Sequence, residues 1–141
     1  TGNKGGLCVT SAISPAGRMV FRIENHTICA EDHIDFLKQI MKHHPHRIII
    51  VIEDNAPPHI ASKVKDFVRD NKNKIAIYHI PSYSPDLNPD EKVWKYLKNV
   101  KLKAHQARNK KEFKPLVQAK MHSIQKKPYL IKSFFVGTYV L

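Results

Sequence analysis

The feature that most constrains this chain is Arg47-Ile-Ile-Ile-Val-Ile52, which holds five β-branched residues in a row with no polar break. Branching at Cβ suits a pleated strand. A run without alternation predicts a central strand covered on both faces, as in a sheet with helices on either side. Asn55-Ala-Pro-Pro58 must end it, because proline cannot donate to a strand ladder. Glu53 and Asp54 therefore fall at the carboxyl edge of the sheet, where α/β proteins place their ligands.

A second acidic cluster lies in Tyr83-Ser-Pro-Asp-Leu-Asn-Pro-Asp-Glu-Lys-Val-Trp94. Asn88 has the chemistry of an N-cap, Pro89 suits the first helical position, and Glu91 follows the cap by three residues. Asp90 and Glu91 are thus expected in the first turn of a helix, behind a proline-bounded lead-in.

The remaining periodicities surround these clusters. Leu7 to Ile13 and Arg18 to Ile23 read as a hairpin joined at Ser14-Pro-Ala-Gly17. Ile34, Leu37, Ile40 and Met41, widened by Phe36, make a helical face that ends near His43-His-Pro45. Ile60, Val64, Phe67 and Val68 predict a helix to Arg69, and Ile75 to Ile80 a strand. Strand, helix, strand in that order gives a parallel pair with a right-handed connection. Val93, Leu97 and Val100 form one side of the next helix, with Trp94 broadening it and a core role favoured for that indole. Residues 109–141 read as a carboxyl-terminal helix and an apolar tail. The helix starts at the capping-box sequence Asn109-Lys-Lys-Glu112, is delayed or kinked at Pro115 and stops at Lys126-Lys-Pro128.

At 141 residues the chain fits one domain. Lys and Arg total 24 against 12 Asp and Glu, a formal charge of +12 that favours a polyanionic partner, most simply nucleic acid. Cys8 and Cys29 lack metal-motif spacing and the density of a disulfide scaffold, so both are read as reduced. No apolar run reaches membrane-spanning length and no signal-peptide pattern opens the chain, which argues against a membrane partner and for an intracellular setting.

Carboxylates at the two expected edges suit a hard divalent ion, Mg²⁺ or Mn²⁺, and two such ions can promote phosphodiester transfer. The residues alone leave other roles open. Asp54 is also a turn cap before Pro57, Glu91 a capping-box partner of Asn88, and His59 either a boundary histidine or a group that orients Asp54. Glu53 should point away from Asp54 on a regular strand, so it reads as structural or peripheral, and Asp90 is treated alike. His43, His44 and His46 read as a basic helix end. Gly2, Gly5 and Gly6 do not make a phosphate loop.

Ile52-Glu-Asp-Asn-Ala-Pro-Pro-His59 and Leu87-Asn-Pro-Asp-Glu-Lys-Val-Trp94, within its longer lead-in, resemble the catalytic domain of mariner-like and insertion-sequence transposases of the DDE superfamily. The resemblance covers Gly6 to about Lys103. It implies a ribonuclease-H-like mixed sheet flanked by helices, truncated before or at its first strand, so that 1–141 is a single partial catalytic domain. It also implies that Asp54 and Glu91 are the second and third catalytic, metal-binding acids, supported by Asn55, His59, Tyr83 and Asn88. The expected function is DNA transposition by metal-dependent cleavage and strand transfer at transposon ends in double-stranded DNA. Two Mg²⁺ or Mn²⁺ ions would serve the complete site, acting on chromosomal DNA in the cytoplasm of a bacterium or archaeon. Two departures qualify this. Asp90 replaces the usual apolar residue, and no acid matches the family's first aspartate between Thr1 and Leu7. The fragment alone is therefore expected to be weak or inactive, with a noncatalytic DNA-binding or oligomerising remnant as the alternative and homodimerisation as a repair of an open sheet edge.

Overall fold

Antiparallel and parallel strands stand in separate sheets. The computed structural model describes residues 2–4, 7–81, 87–101 and 110–135. In chain order its elements are β1 (Gly2–Lys4), β2 (Leu7–Ile13), β3 (Met19–Glu24), α1 (Ala30–His43), β4 (Ile49–Glu53), α2 (Pro57–Ile60), α3 (Ser62–Asp70), β5 (Ile75–His79), α4 (Asp90–Tyr96), α5 (Lys110–Gln125) and α6 (Pro128–Ser133). A π-helical stretch, Leu97–Lys101, follows α4. The chain divides into two units, Thr1–Thr27 with Pro89–Leu141, and Ile28–Asn88.

In the first unit the sheet order is β1-β2-β3, and the expected hairpin pairs from Cys8↔Glu24 to Ile13↔Met19. Its apolar positions Leu7, Val9 and Met19 pack with Val93, Trp94 and Leu97 and with Phe113, Val117, Met121 and Ile124. The last four recur at intervals of three and four, which puts them on one face of α5. Pro115 lies inside α5 instead of delaying it, although its missing N–H costs the helix one bond. The Gln125 side-chain amide donates to the Met19 carbonyl at 2.8 Å. The tail is helical through Ser133, and Ile131 and Phe134 complete the core. Asn109 of the expected capping box, and the end of the tail, lie outside the described residues.

Gly17 closes the β2–β3 turn, where its N–H donates to the Ser14 carbonyl at 2.9 Å. Its φ is +89°, and a Cβ there would sit 2.7 Å from the Pro128 carbonyl oxygen. Gly17→Ala is expected to lower the unfolding free energy by more than about 1 kcal/mol, read as a lower urea midpoint. An unchanged midpoint would mean the turn has another conformation.

In the second unit β4 and β5 are parallel, from Ile49↔Ile75 to Glu53↔His79, as the strand-helix-strand order required. Leu37 of α1, Val64 of α3 and Ile75 form its core, with Ile49, Val51, Phe67 and Ile77 against it. The expectation that β4 buries both faces is corrected here. Ile50 and Ile52 are 66% and 62% exposed, as is Ile48 just before the strand at 68%. The helices of this unit take the Ile49 and Val51 face alone, so an unbroken apolar run conceals an alternating strand. Ile60, expected on a buried face, closes the separate turn α2 and is 42% exposed.

Candidate active site

Asp54 stands one residue past the carboxyl end of β4, as expected from the proline-terminated strand. Its Oδ1 accepts a hydrogen bond from the Ala56 backbone N–H at 3.0 Å, the Asx turn that short acidic side chains form two residues ahead. His59 is brought back by α2: its Nδ1–H donates to the Asp54 backbone carbonyl at 3.2 Å, and Nδ1 lies 2.9 Å from Asp54 Oδ1. The Asn55 side-chain amide donates to the Ile80 carbonyl at 3.0 Å, while the Ile80 N–H donates to the Glu53 carbonyl at 2.8 Å. These bonds pin the ends of both strands together. The Asp54 side chain itself is about half exposed, at 49%, so the turn that fixes the carboxylate leaves it open to solvent.

Strand alternation would aim Glu53 away from Asp54, but the turn after β4 brings the two carboxylates together: Glu53 Oε2 and Asp54 Oδ1 lie 3.0 and 2.9 Å from the same atom, His59 Nδ1. Glu53 is buried, and it is not peripheral. His33 of α1 donates through Nε2 to Glu53 Oε1 at 3.1 Å, and His59 Nδ1 lies 3.0 Å from Oε2. The two imidazoles stack, with centroids 4.2 Å apart and planes 28° from parallel. Burial alone would raise the Glu53 pKa, but the two imidazoles outweigh it and hold the carboxyl at about 2. Burial would lower the His59 pKa, yet the Glu53 carboxylate prevails and raises it. One nitrogen of each histidine and one Glu53 oxygen lie within 4.8 Å of one another, a partial metal-ligand cluster.

His33 was not singled out from sequence, since a polar residue between Asp32 and Ile34 looks like helix surface. The available signal was its spacing, three and four residues before the buried Phe36 and Leu37. The second part of the cluster, Glu53, comes from a strand, so no local pattern links it to His33.

Glu91 lies in the first turn of α4, and Pro89 already has helical dihedrals, −57° and −27°. Asp90 turns toward β2, where its Oδ1 accepts a 2.7 Å hydrogen bond from the Ser11 hydroxyl. Loss of hydration pushes the Asp90 pKa up to about 7, in spite of that bond, and the Glu91 charge adds to the rise. Asp90 thus ties α4 to the hairpin. Asn88 lies just before this helix, and Tyr83 lies outside the described residues.

The sequence profile of the DDE superfamily endonucleases matches residues 1–114. Among solved structures, the catalytic domain of Mos1 mariner transposase aligns with a TM-score of 0.53 at 16% identity, covering 86% of this chain and 70% of that one. The Mos1 transposase paired-end complex with left transposon end aligns with a TM-score of 0.47 at 17% identity, covering 95% of this chain and 44% of that one. The first of these likenesses shows a shared fold, an α/β arrangement broadly of the ribonuclease-H type. Comparison with curated proteins finds no match. The matched stretch contains both the turn that carries Asp54 and the helix start that carries Glu91, and with 114 of 141 residues matched the chain belongs to the DDE superfamily endonucleases.

Proposed function

We propose that this chain is part of the catalytic domain of a DNA transposase, with Asp54 and Glu91 as its second and third acids. The observation that carries the reading is Asp54 itself: a half-exposed carboxylate at the end of a parallel strand, held by an Asx turn and by His59, inside a stretch matched to this family. Its oxygen donors fit a hard divalent ion. Asp54 and Glu91 would hold Mg²⁺ or Mn²⁺, two ions in the complete site, which when bound activate an attacking oxygen and stabilise a leaving one. His59 keeps Asp54 aimed, Asn55 fixes the strand edge, and Tyr83 and Asn88 belong to the approach to Glu91. The mixed ribonuclease-H-like sheet expected from sequence is part of this reading, as are transposon ends in bacterial or archaeal chromosomal DNA as substrate.

Cleavage and strand transfer on duplexes carrying matched terminal repeats, with Mn²⁺ or with chelator, test the reaction. The 141 residues hold matches to two of the three family acids, so the chain alone is expected near the chelator background. Metal-dependent turnover appears once the first aspartate is supplied. Retained DNA binding with no reaction in that completed protein would favour the noncatalytic remnant.

The charge of +12 makes binding to duplex DNA chiefly a matter of backbone phosphates. Fluorescence anisotropy should show affinity falling by about 10³-fold or more between roughly 50 and 200 mM salt, which corresponds to six or more neutralised phosphates. Binding that ignores salt, or fails on every duplex at low salt, would remove DNA from the account. Homodimerisation belongs to the same reading: among the described residues β4 pairs only with β5, and an open strand edge can accept a strand from a second copy. Light scattering that gives a monomer at every concentration would exclude it.

A further inference from the structure

We infer that His33, Glu53 and His59 form a binding site for one transition-metal ion of the zinc class, adjoining the hard-ion site proposed at Asp54 and distinct from it in its donors. The donor set is two imidazoles and one carboxylate, which suits Zn²⁺, Co²⁺ or Ni²⁺ and is a poor match for Mg²⁺, an ion that prefers oxygen and keeps its waters. Spacing agrees with this. Bonds of about 2.0–2.1 Å to a tetrahedral ion put neighbouring donors about 3.3–3.5 Å apart. Here His33 Nε2 is 3.1 Å from Glu53 Oε1, and His59 Nδ1 is 3.0 Å from Glu53 Oε2. These two pairs need to open by only a few tenths of an ångström to admit an ion, and the donors of all three residues lie within 4.8 Å of one another.

An independent observation is that Glu53 Oε2 is buried and has no hydrogen bond, although the side chain is only 7% exposed. Its near neighbour His59 Nδ1 turns its N–H toward the Asp54 carbonyl, a proton that must leave before this nitrogen can bind an ion. His33 Nδ1 is likewise buried without a partner. A carboxylate oxygen left so costs stability, and a dication seated among the three side chains supplies what it lacks. His79 stands at the opening, with Nε2 4.0 Å from Glu53 Oε2 and its side chain 31% exposed, in position to act as a further donor. The site ties α1 and α2 to the end of β4. It lies beside Asp54, and it does not depend on whether the chain cuts DNA.

The test is titration of the chelator-treated 141-residue chain with Zn²⁺ against a chromophoric chelator, repeated with Co²⁺ for its visible absorption. One ion per chain is expected, with tetrahedral Co²⁺ bands and a raised thermal midpoint, and Mg²⁺ at the same concentration should produce neither. His33→Gln is expected to weaken binding by more than about 100-fold, beyond the usual effect of losing a group outside the ligand set. The His43→Gln, His44→Gln, His46→Gln triple variant and Asp54→Ala should both retain it. Should His33→Gln fail to fold, Zn²⁺-induced shifts of imidazole NMR signals in the unaltered chain decide the matter. Shifts at His33 and His59 support the site. Absence of stoichiometric binding, shifts confined to His43, His44 and His46, or unweakened binding in folded His33→Gln overturns it. Loss of Zn²⁺ binding in Asp54→Ala would merge the two sites and overturn their separation.

Discussion

Glu53→Ala will lower the unfolding free energy of the metal-free chain by about 2–3 kcal/mol, at or just below the lower end of the range for breaking a buried ionic contact, because histidine can shed its charge. The substitution leaves His33 without its acceptor and His59 without the negative charge beside it. Glu53→Gln should recover part of the loss, since an amide oxygen still accepts from His33. The effect also has a pH signature. Glu53 has its folded pKa lowered from 4.5 to about 2, so its contribution is present above about pH 4.5 and is lost as pH falls toward 2. His59 has its pKa raised above 6.5, so its contribution is present below that value and is lost as pH rises through the folded pKa. The gap between Glu53→Ala and the parent chain should therefore be widest between about pH 4.5 and 6.5. Urea unfolding at a series of pH values in chelator measures it; a gap that stays flat from pH 3 to 9 would mean the cluster carries no charge.

Asp54→Ala and Glu91→Ala are expected to bring Mn²⁺-supported DNA cleavage, in a protein that also supplies the first aspartate, down to the rate seen with chelator. Each removes oxygen donors that no neighbour replaces. Asp54 is followed by an asparagine already committed to the Ile80 carbonyl, and Glu91 is preceded by an aspartate already committed to Ser11. Asp90→Asn should therefore keep most of the activity while weakening the tie between α4 and β2, seen as a lower thermal midpoint. His59→Ala should fall between these cases, because it frees the Asp54 carboxylate without removing it. Robust cleavage surviving both Asp54→Ala and Glu91→Ala would move the chemistry elsewhere in the molecule.

Elements that depend on local pattern were legible in the sequence. The hairpin, its glycine turn, the parallel pair and the buried Trp94 all follow from residues close in the chain. What could not be read depends on partners distant in sequence. The apolar run at β4 implies two covered faces, yet which faces are covered depends on where α1 and α3 pack. Asp90 looked like a change of charge beside Glu91, and its role is decided by Ser11, 79 positions earlier. The alternation rule placed Glu53 away from Asp54, and only the fold shows that both carboxylates meet at His59 and that His33, 20 positions earlier, reaches Glu53. The places of Asp54 after a strand end and of Glu91 in a first helical turn were legible because proline-bounded turns write them into the local sequence.

The central claim is that Asp54 and Glu91 share a divalent ion. Paramagnetic broadening of backbone amides by Mn²⁺, measured on the 141-residue chain with Zn²⁺ already present to occupy the histidine cluster, tests it without requiring turnover. Amides flanking Asp54 and Glu91 should broaden together over the same range of Mn²⁺ concentration, and Asp54→Ala should abolish the broadening at both. Broadening at one acid that leaves the other untouched, or broadening around Glu91 that survives Asp54→Ala, would contradict a shared site.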